Sequence, residues 1–125
     1  MVYVKSFRDL EVYKLSREVS RSIFVLSKSF PPEEKYSLTD QIRRSSRSIG
    51  AQLAEAWGKR KYELHFISKL TDSDSEQLET SHWLDEANDC GYLNKDDCKS
   101  LLGKCESIGK MLQSMIDKAS MFCKR

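Results

Sequence analysis

Apolar residues recur along this chain in the three-and-four rhythm of amphipathic helices. Val12, Leu15, Val19, Ile23, Leu26 and Phe30 form a first stripe, with Lys14, Arg17, Glu18, Arg21 and Lys28 on the remaining surface. Ser6, followed three residues later by Asp9, marks the start as an approximate capping box. Pro31-Pro32 marks the end, because proline disfavours helical geometry in the residue before it. The pattern predicts a helix over about residues 7–30.

A second helix is expected over about residues 33–57, with Glu33 and Glu34 at the positive end of its dipole and Gly58 as its stop. Leu38, Ile42, Ser46, Ile49, Leu53 and Trp57 fall on one face; Arg43, Arg44, Arg47, Ala51 and Ala54 fall on the other. Gly50 inside it costs up to about 1 kcal/mol relative to alanine, which suggests close approach of another backbone. The basic triplet Lys59-Arg60-Lys61 follows.

A third helix is expected over about residues 61–90, ended by Gly91, with Phe66, Leu70, Ser73, Gln77, Thr80, Leu84 and Ala87 at seam positions. Its outer turns are apolar and its middle is polar. Three explanations fit: a kink, packing against small or polar partners, or a face turned to another subunit. The fourth helix, over about residues 95–123, has Asn94 as its cap with Asp97 at the third helical position. Cys98, Leu101, Cys105, Ile108, Leu112, Met115, Ala119 and Phe122 then alternate by three and four, a seam about 40 Å long. Four helices joined by short connections predict an all-α fold, an antiparallel up-down-up-down four-helix bundle in a single domain spanning 1–125.

Composition agrees: 32% of residues are charged, and 5 Gly and 2 Pro leave little punctuation for a many-stranded fold. No apolar run approaches the roughly 18 residues of a membrane span. The amino-terminal stretch is charged too early for a secretory signal, so a cytoplasmic protein is expected and no membrane partner. Net charge is only +2, but it is segregated. Residues 41–61 carry a balance of +5 and residues 71–90 one of −7.

Enzymatic chemistry finds little support. No glycine-rich phosphate loop or nucleophile elbow is present, and His65 and His82 stand 17 residues apart. Cys90, Cys98, Cys105 and Cys123 form no C-x-x-C pair and read as core or surface thiols. Asp72, Asp74 and Glu76 alternate around a helix and lack the glycine and closing Glu of a calcium loop, so a solvated acidic face is expected. No catalytic residue, metal ligand or cofactor is assigned. Tyr62, His65 and Phe66 could stack on bases, but they read first as the opening turns of a buried seam.

The segregated charge has two readings. Lys59, Arg60, Lys61, Arg43, Arg44 and Arg47 could contact RNA phosphates, which suit the guanidinium fork. Alternatively, Arg43, Arg47, Ala51 and Ala54 could meet Asp72, Asp74, Glu76 and Glu79, within one subunit or across an oligomer interface. The short alanines among the arginines would let a second helix approach.

Phe7-Arg8-Asp9-Leu10-Glu11-Val12-Tyr13 resembles the opening of a family of small four-helix-bundle proteins encoded within intervening sequences of bacterial large-subunit ribosomal RNA. Phe30-Pro31, Glu34, Tyr36, Leu38, Gln41-Ile42-Arg43-Arg44, Ser48-Ile49, Ala54-Glu55, Trp57-Gly58 and Gly91-Tyr92-Leu93 continue the resemblance. Departures are Gln52-Leu53-Ala54-Glu55-Ala56 and Ser73-Asp74-Ser75-Glu76, where the family usually has smaller residues. The resemblance implies a bundle, with some members homopentameric and a related group serving reverse transcriptases of diversity-generating retroelements. The function expected from all of this is a non-enzymatic, self-associating scaffold that touches RNA or a ribonucleoprotein. The alternative is an accessory subunit that binds a reverse transcriptase or another RNA-handling enzyme.

Overall fold

A computed structural model describes residues 4–123. Met1–Tyr3, the first residues of the charged amino-terminal stretch, lie outside them, as do the last two residues of the chain. The fold is all-α, with no strand among the described residues. Four long helices, α1 (Glu11–Ser27), α2 (Leu38–Gly58), α3 (Glu63–Asp89) and α4 (Lys95–Asp117), are followed by the short α5 (Ala119–Phe122). No helix among the described residues is long and apolar enough to cross a membrane.

Contacts between neighbouring helices run in opposite numerical order. On α2 and α3, Glu55 meets Lys69, the Ile49 carbonyl meets Ser73, and Ser45 meets Thr80. On α3 and α4, the Leu84 carbonyl meets Cys98, and Phe66 stacks on Phe122 of α5. Between them lies one apolar core that includes Val19, Ile23, Ile42, Ile49, Leu53, Phe66, Leu70, Leu84, Ile108 and Leu112. Each of these large side chains contributes about 1.5–3 kcal/mol on burial.

Several boundaries differ from the expectation, each for a local reason. Ser6 does form a capping box with Asp9, but it caps a 3-10 turn at Phe7–Asp9, and α1 starts only at Glu11. α1 ends at Ser27, three residues short of Phe30. The second helix begins at Leu38, because Pro32–Glu34 is a separate 3-10 turn. Glu34 still serves the helix start: its carboxylate accepts from the Ser37 hydroxyl at 2.7 Å and from the Leu38 N–H at 3.4 Å. The fourth helix breaks at Lys118 before α5. Asn94 accepts from the Asp97 N–H at 2.7 Å, the cap expected there. Gly91 sits at φ 76°, in the left-handed region, and ends α3.

The polar middle of α3 is buried without a kink. Ser73 and Thr80 lie inward against α2, and the Gln77 amide lies beside Gly109 of α4. Ser73 donates to the Ile49 carbonyl at 2.8 Å, and Thr80 lies 2.9 Å from the Ser45 hydroxyl oxygen. Packing against small and polar partners is therefore the explanation that applies. The α1 seam is also rotated from the apolar reading: Ser16 and Ser27 are buried, while Leu15 and Leu26 are half-buried. These serines donate to carbonyls three residues back in their own helix, at 2.7 and 3.1 Å, so their burial leaves no hydroxyl unsatisfied. Gly50 does mark a close approach, but by side chains. A Cβ there would lie 3.2 Å from Ser16 Oγ and 3.4 Å from the Tyr13 ring.

Candidate functional site

The α2 arginines separate once folded. Arg44 turns towards α3, 2.6 Å from Glu79 and 4.0 Å from Glu76. Arg43 and Arg47 turn towards α1 instead. Their guanidinium carbons lie 4.8 and 5.4 Å from the centre of the Phe24 ring, and Lys28 Nζ lies 4.9 Å from the same point. Arg43 is anchored further, because its Nε donates to the Ser27 hydroxyl at 2.7 Å.

Phe24 reaches this position because it sits one residue past the buried Ile23, about 100° around the helix from the core, and stays 37% exposed. Arg17, Arg21, Phe24 and Lys28 follow one another by four, three and four residues and form a single stripe on α1. Arg17, Arg21 and Arg47 line one shallow groove with Tyr13 and Phe24. An adjoining groove along α2 holds Lys35, Tyr36, Asp40, Arg43, Arg47 and Ala51. Among the described residues, none of Arg17, Arg21, Lys28, Lys35, Arg43 and Arg47 has a carboxylate within ion-pair distance. Glu18 is bonded by Lys104 at 2.8 Å, and Lys104 foremost, with a smaller pull from Arg21, holds its carboxyl below the ordinary range.

Magnitudes show why the cluster is tolerated and what it favours. A cation over an exposed ring gains about 0.5–1 kcal/mol. Two unit charges about 8 Å apart in water repel by roughly 0.5 kcal/mol. The two nearly cancel, so the arrangement holds together while keeping its charge open to an anion. Arginine in particular pairs with phosphate through two parallel N–H bonds.

The other sequence candidates are distributed as follows. Arg60 folds back on its own helix: its guanidinium carbon lies 3.6 Å from the Trp57 ring centre, and its Nε donates to the Trp57 carbonyl at 2.9 Å. Lys59 and Lys61 are exposed beside it. Tyr62 and His65 are exposed and in ring contact with each other, and only Phe66 enters the seam. Ala51 is exposed next to the arginines and Ala54 is half-buried. The acidic residues do not share one surface. Glu76 and Glu79 face Arg44, Asp72 pairs with Lys69 at 3.5 Å, and Asp74 accepts from Gln77 beside Gly109 of α4. Glu79 also accepts from the Trp83 indole at 3.0 Å. Among the described residues, no three His, Cys, Asp or Glu side chains gather as a metal site would require.

The α2 half of this face was among the sequence candidates; the α1 half was not. The signal was the spacing of Arg17, Arg21 and Lys28, hidden because each also reads as ordinary solvated surface between apolar seam positions.

With this geometry in place, comparison with known proteins is informative. The model of the 23S rRNA-intervening sequence protein family matches residues 8–114. The chain belongs to this family. The chain is also similar to a protein of known crystal structure, a protein with unknown function from the S23 ribosomal protein family of Bacteroides thetaiotaomicron. It superposes with a TM-score of 0.77 at 32% identity, covering 85% of this chain and 95% of that one. No curated protein matches. The 23S rRNA-intervening sequence family match spans both cationic helices, α1 and α2, and ends within α4.

Proposed function

We propose that this 23S rRNA-intervening sequence protein is a non-enzymatic, self-associating scaffold that contacts RNA through the α1–α2 face and acts in the cytoplasm. Its four long helices form an antiparallel up-down-up-down bundle in this reading, which the opposed order of the interhelical contacts supports. One observation carries the RNA contact: Lys28, Arg43 and Arg47 gather around Phe24 with no carboxylate within ion-pair distance among the described residues. The family's link to ribosomal RNA supports it. Phosphate contacts of this kind give sequence-tolerant, salt-sensitive binding.

Anisotropy of a fluorescent RNA titrated with the full chain at several salt concentrations tests the contact. The reading expects binding at low salt that weakens steeply with salt and is lost in the Arg43→Glu, Arg47→Glu double variant. Affinity that is absent at low salt, or intact in that variant, sinks it. Light scattering tests self-association, for which the resemblance to homopentameric bundles supports a pentamer; a monomer at micromolar concentration counts against assembly.

A second reading has its own observation. Asp85, Glu86 and Asp89 are exposed near the end of α3, and Leu78 on the same helix is 58% exposed. This acidic end of α3, with an exposed leucine two turns before it, suits a basic protein surface, either another copy or a reverse transcriptase or other RNA-handling enzyme. Co-purification of such an enzyme without RNA from the native host favours this version.

A further inference from the structure

We infer that the cluster around Phe24 takes the paired phosphate strands of double-helical RNA rather than an extended single strand. This rests on the RNA reading above and names the form of RNA.

Surfaces that bind single strands offer a track of open aromatic faces on which successive bases stack. Here Lys28, Arg43 and Arg47 stand within 5.4 Å of the centre of the Phe24 ring, which is 37% exposed. The Tyr13 ring meets Phe7 edge-on at 5.0 Å, and its hydroxyl accepts from Arg17 at 3.2 Å. Tyr36, 84% exposed at one end of the face, has Lys35 Nζ 5.3 Å from its ring centre, and one ring makes no track.

The three cations lie 4.9, 4.8 and 5.4 Å from one ring centre, so no two are more than about 10 Å apart. A lone strand offers such a cluster only the phosphates of its own backbone. The narrow major groove of A-form RNA instead brings phosphates of both strands together. The B-form major groove, about 12 Å wide, separates them. Arg17 and Arg21 extend the contact along α1, and Arg17 to Lys28 spans about 16 Å at 1.5 Å per residue.

The test compares three labelled probes of equal length against the full chain by anisotropy: an RNA hairpin with an unbroken stem, an unstructured single-stranded RNA, and a DNA duplex of the stem sequence. The hairpin is expected to bind about tenfold tighter than the single strand at moderate salt, the margin that about two additional phosphate contacts give. Arg43→Gln with Arg47→Gln should reduce the hairpin's log–log salt slope by about 2. Circular dichroism confirms that the double variant remains helical. A single strand bound as tightly as the hairpin overturns the inference, as does an unchanged slope in the double variant. A DNA duplex bound as tightly as the hairpin overturns the A-form assignment. Failure to bind any of the three overturns the RNA reading itself, a separate outcome.

Discussion

The buried hydroxyl of Ser27 accepts a 2.7 Å hydrogen bond from Arg43 Nε while donating to the Phe24 carbonyl at 3.1 Å. One small side chain thereby joins α1 to α2 and sets the guanidinium over the ring that gathers the other cations. Ser27→Ala should cost about 1 kcal/mol of stability, since it removes a charge-assisted bond from a buried position. It should also weaken RNA binding severalfold while leaving every cation in place. Urea unfolding and anisotropy measure the two effects, and unchanged affinity would show that Arg43 needs no anchor.

The buried hydroxyls between α2 and α3 should behave as a coupled pair. Thr80→Val removes one of the two partners of Ser45, whose hydroxyl also donates to the Ile42 carbonyl at 3.4 Å, and should cost about 1–2 kcal/mol. Adding Ser45→Ala should cost less than its single-variant value, because the contact between the two hydroxyls is already gone. A double-variant cycle from chemical denaturation gives the coupling; simple additivity would contradict the pairing.

Sequence rhythm was enough to find the inward side of α3, including its polar members, because Phe66 to Ala87 keep the three-and-four spacing whatever their chemistry. It was enough to place the caps at Asn94 and Gly91. It did not find Ser16 and Ser27 inside, since their satisfaction comes from carbonyls of their own helix, a bond that leaves no trace in a hydropathy pattern. The start of α2 was misplaced because Glu34 acts on Leu38 from outside the helix. The candidate face was half legible. Arg43 and Arg47 stood out in a dense basic segment, but their meeting with Phe24 and Lys28 depends on how two helices lie against each other.

Two glycines should respond to alanine for different reasons. At Gly91, φ 76° places any Cβ against the following carbonyl, so Gly91→Ala should cost about 1–2 kcal/mol. At Gly50 the backbone is ordinary helix, and alanine gains up to about 1 kcal/mol in propensity. That gain is opposed by Ser16 Oγ at 3.2 Å, which is held in place by its bond to the Tyr13 carbonyl. Gly50→Ala should therefore be neutral or destabilising, and pairing it with Ser16→Ala should restore the gain. Thermal melting of both single variants and the pair checks the order.

Stability should depend on pH through Glu34 and Tyr92. The Ser37 hydroxyl, then the Tyr92 hydroxyl, hold the Glu34 carboxyl below its ordinary value of 4.5. A lowered folded value means a contribution that is full above pH 4.5 and fades as pH falls through the folded value. Tyr92 is pushed from 10.0 up to about 12, chiefly by its bond to Glu34. A raised folded value means a contribution that is full below pH 10 and fades as pH climbs towards 12. Tyr92→Phe should abolish the alkaline part and reduce the acid part, with the Ser37 bond retaining the rest. Urea midpoints of the two proteins across both ranges test this; parallel profiles would rule it out.

Leucines and isoleucines stack almost as well after a helix slides by one turn, so an all-apolar interface tolerates several alignments. The Ser45–Thr80 and Ser73–Ile49 contacts do not. A slide of about 5.4 Å would bury these hydroxyls against methyl groups. The short polar ladder thus acts as a key that admits one alignment of α2 on α3. It sets Arg44 at the height of Glu79 on α3, while the separate Ser27–Arg43 bond sets Arg43 at the height of Phe24 on α1.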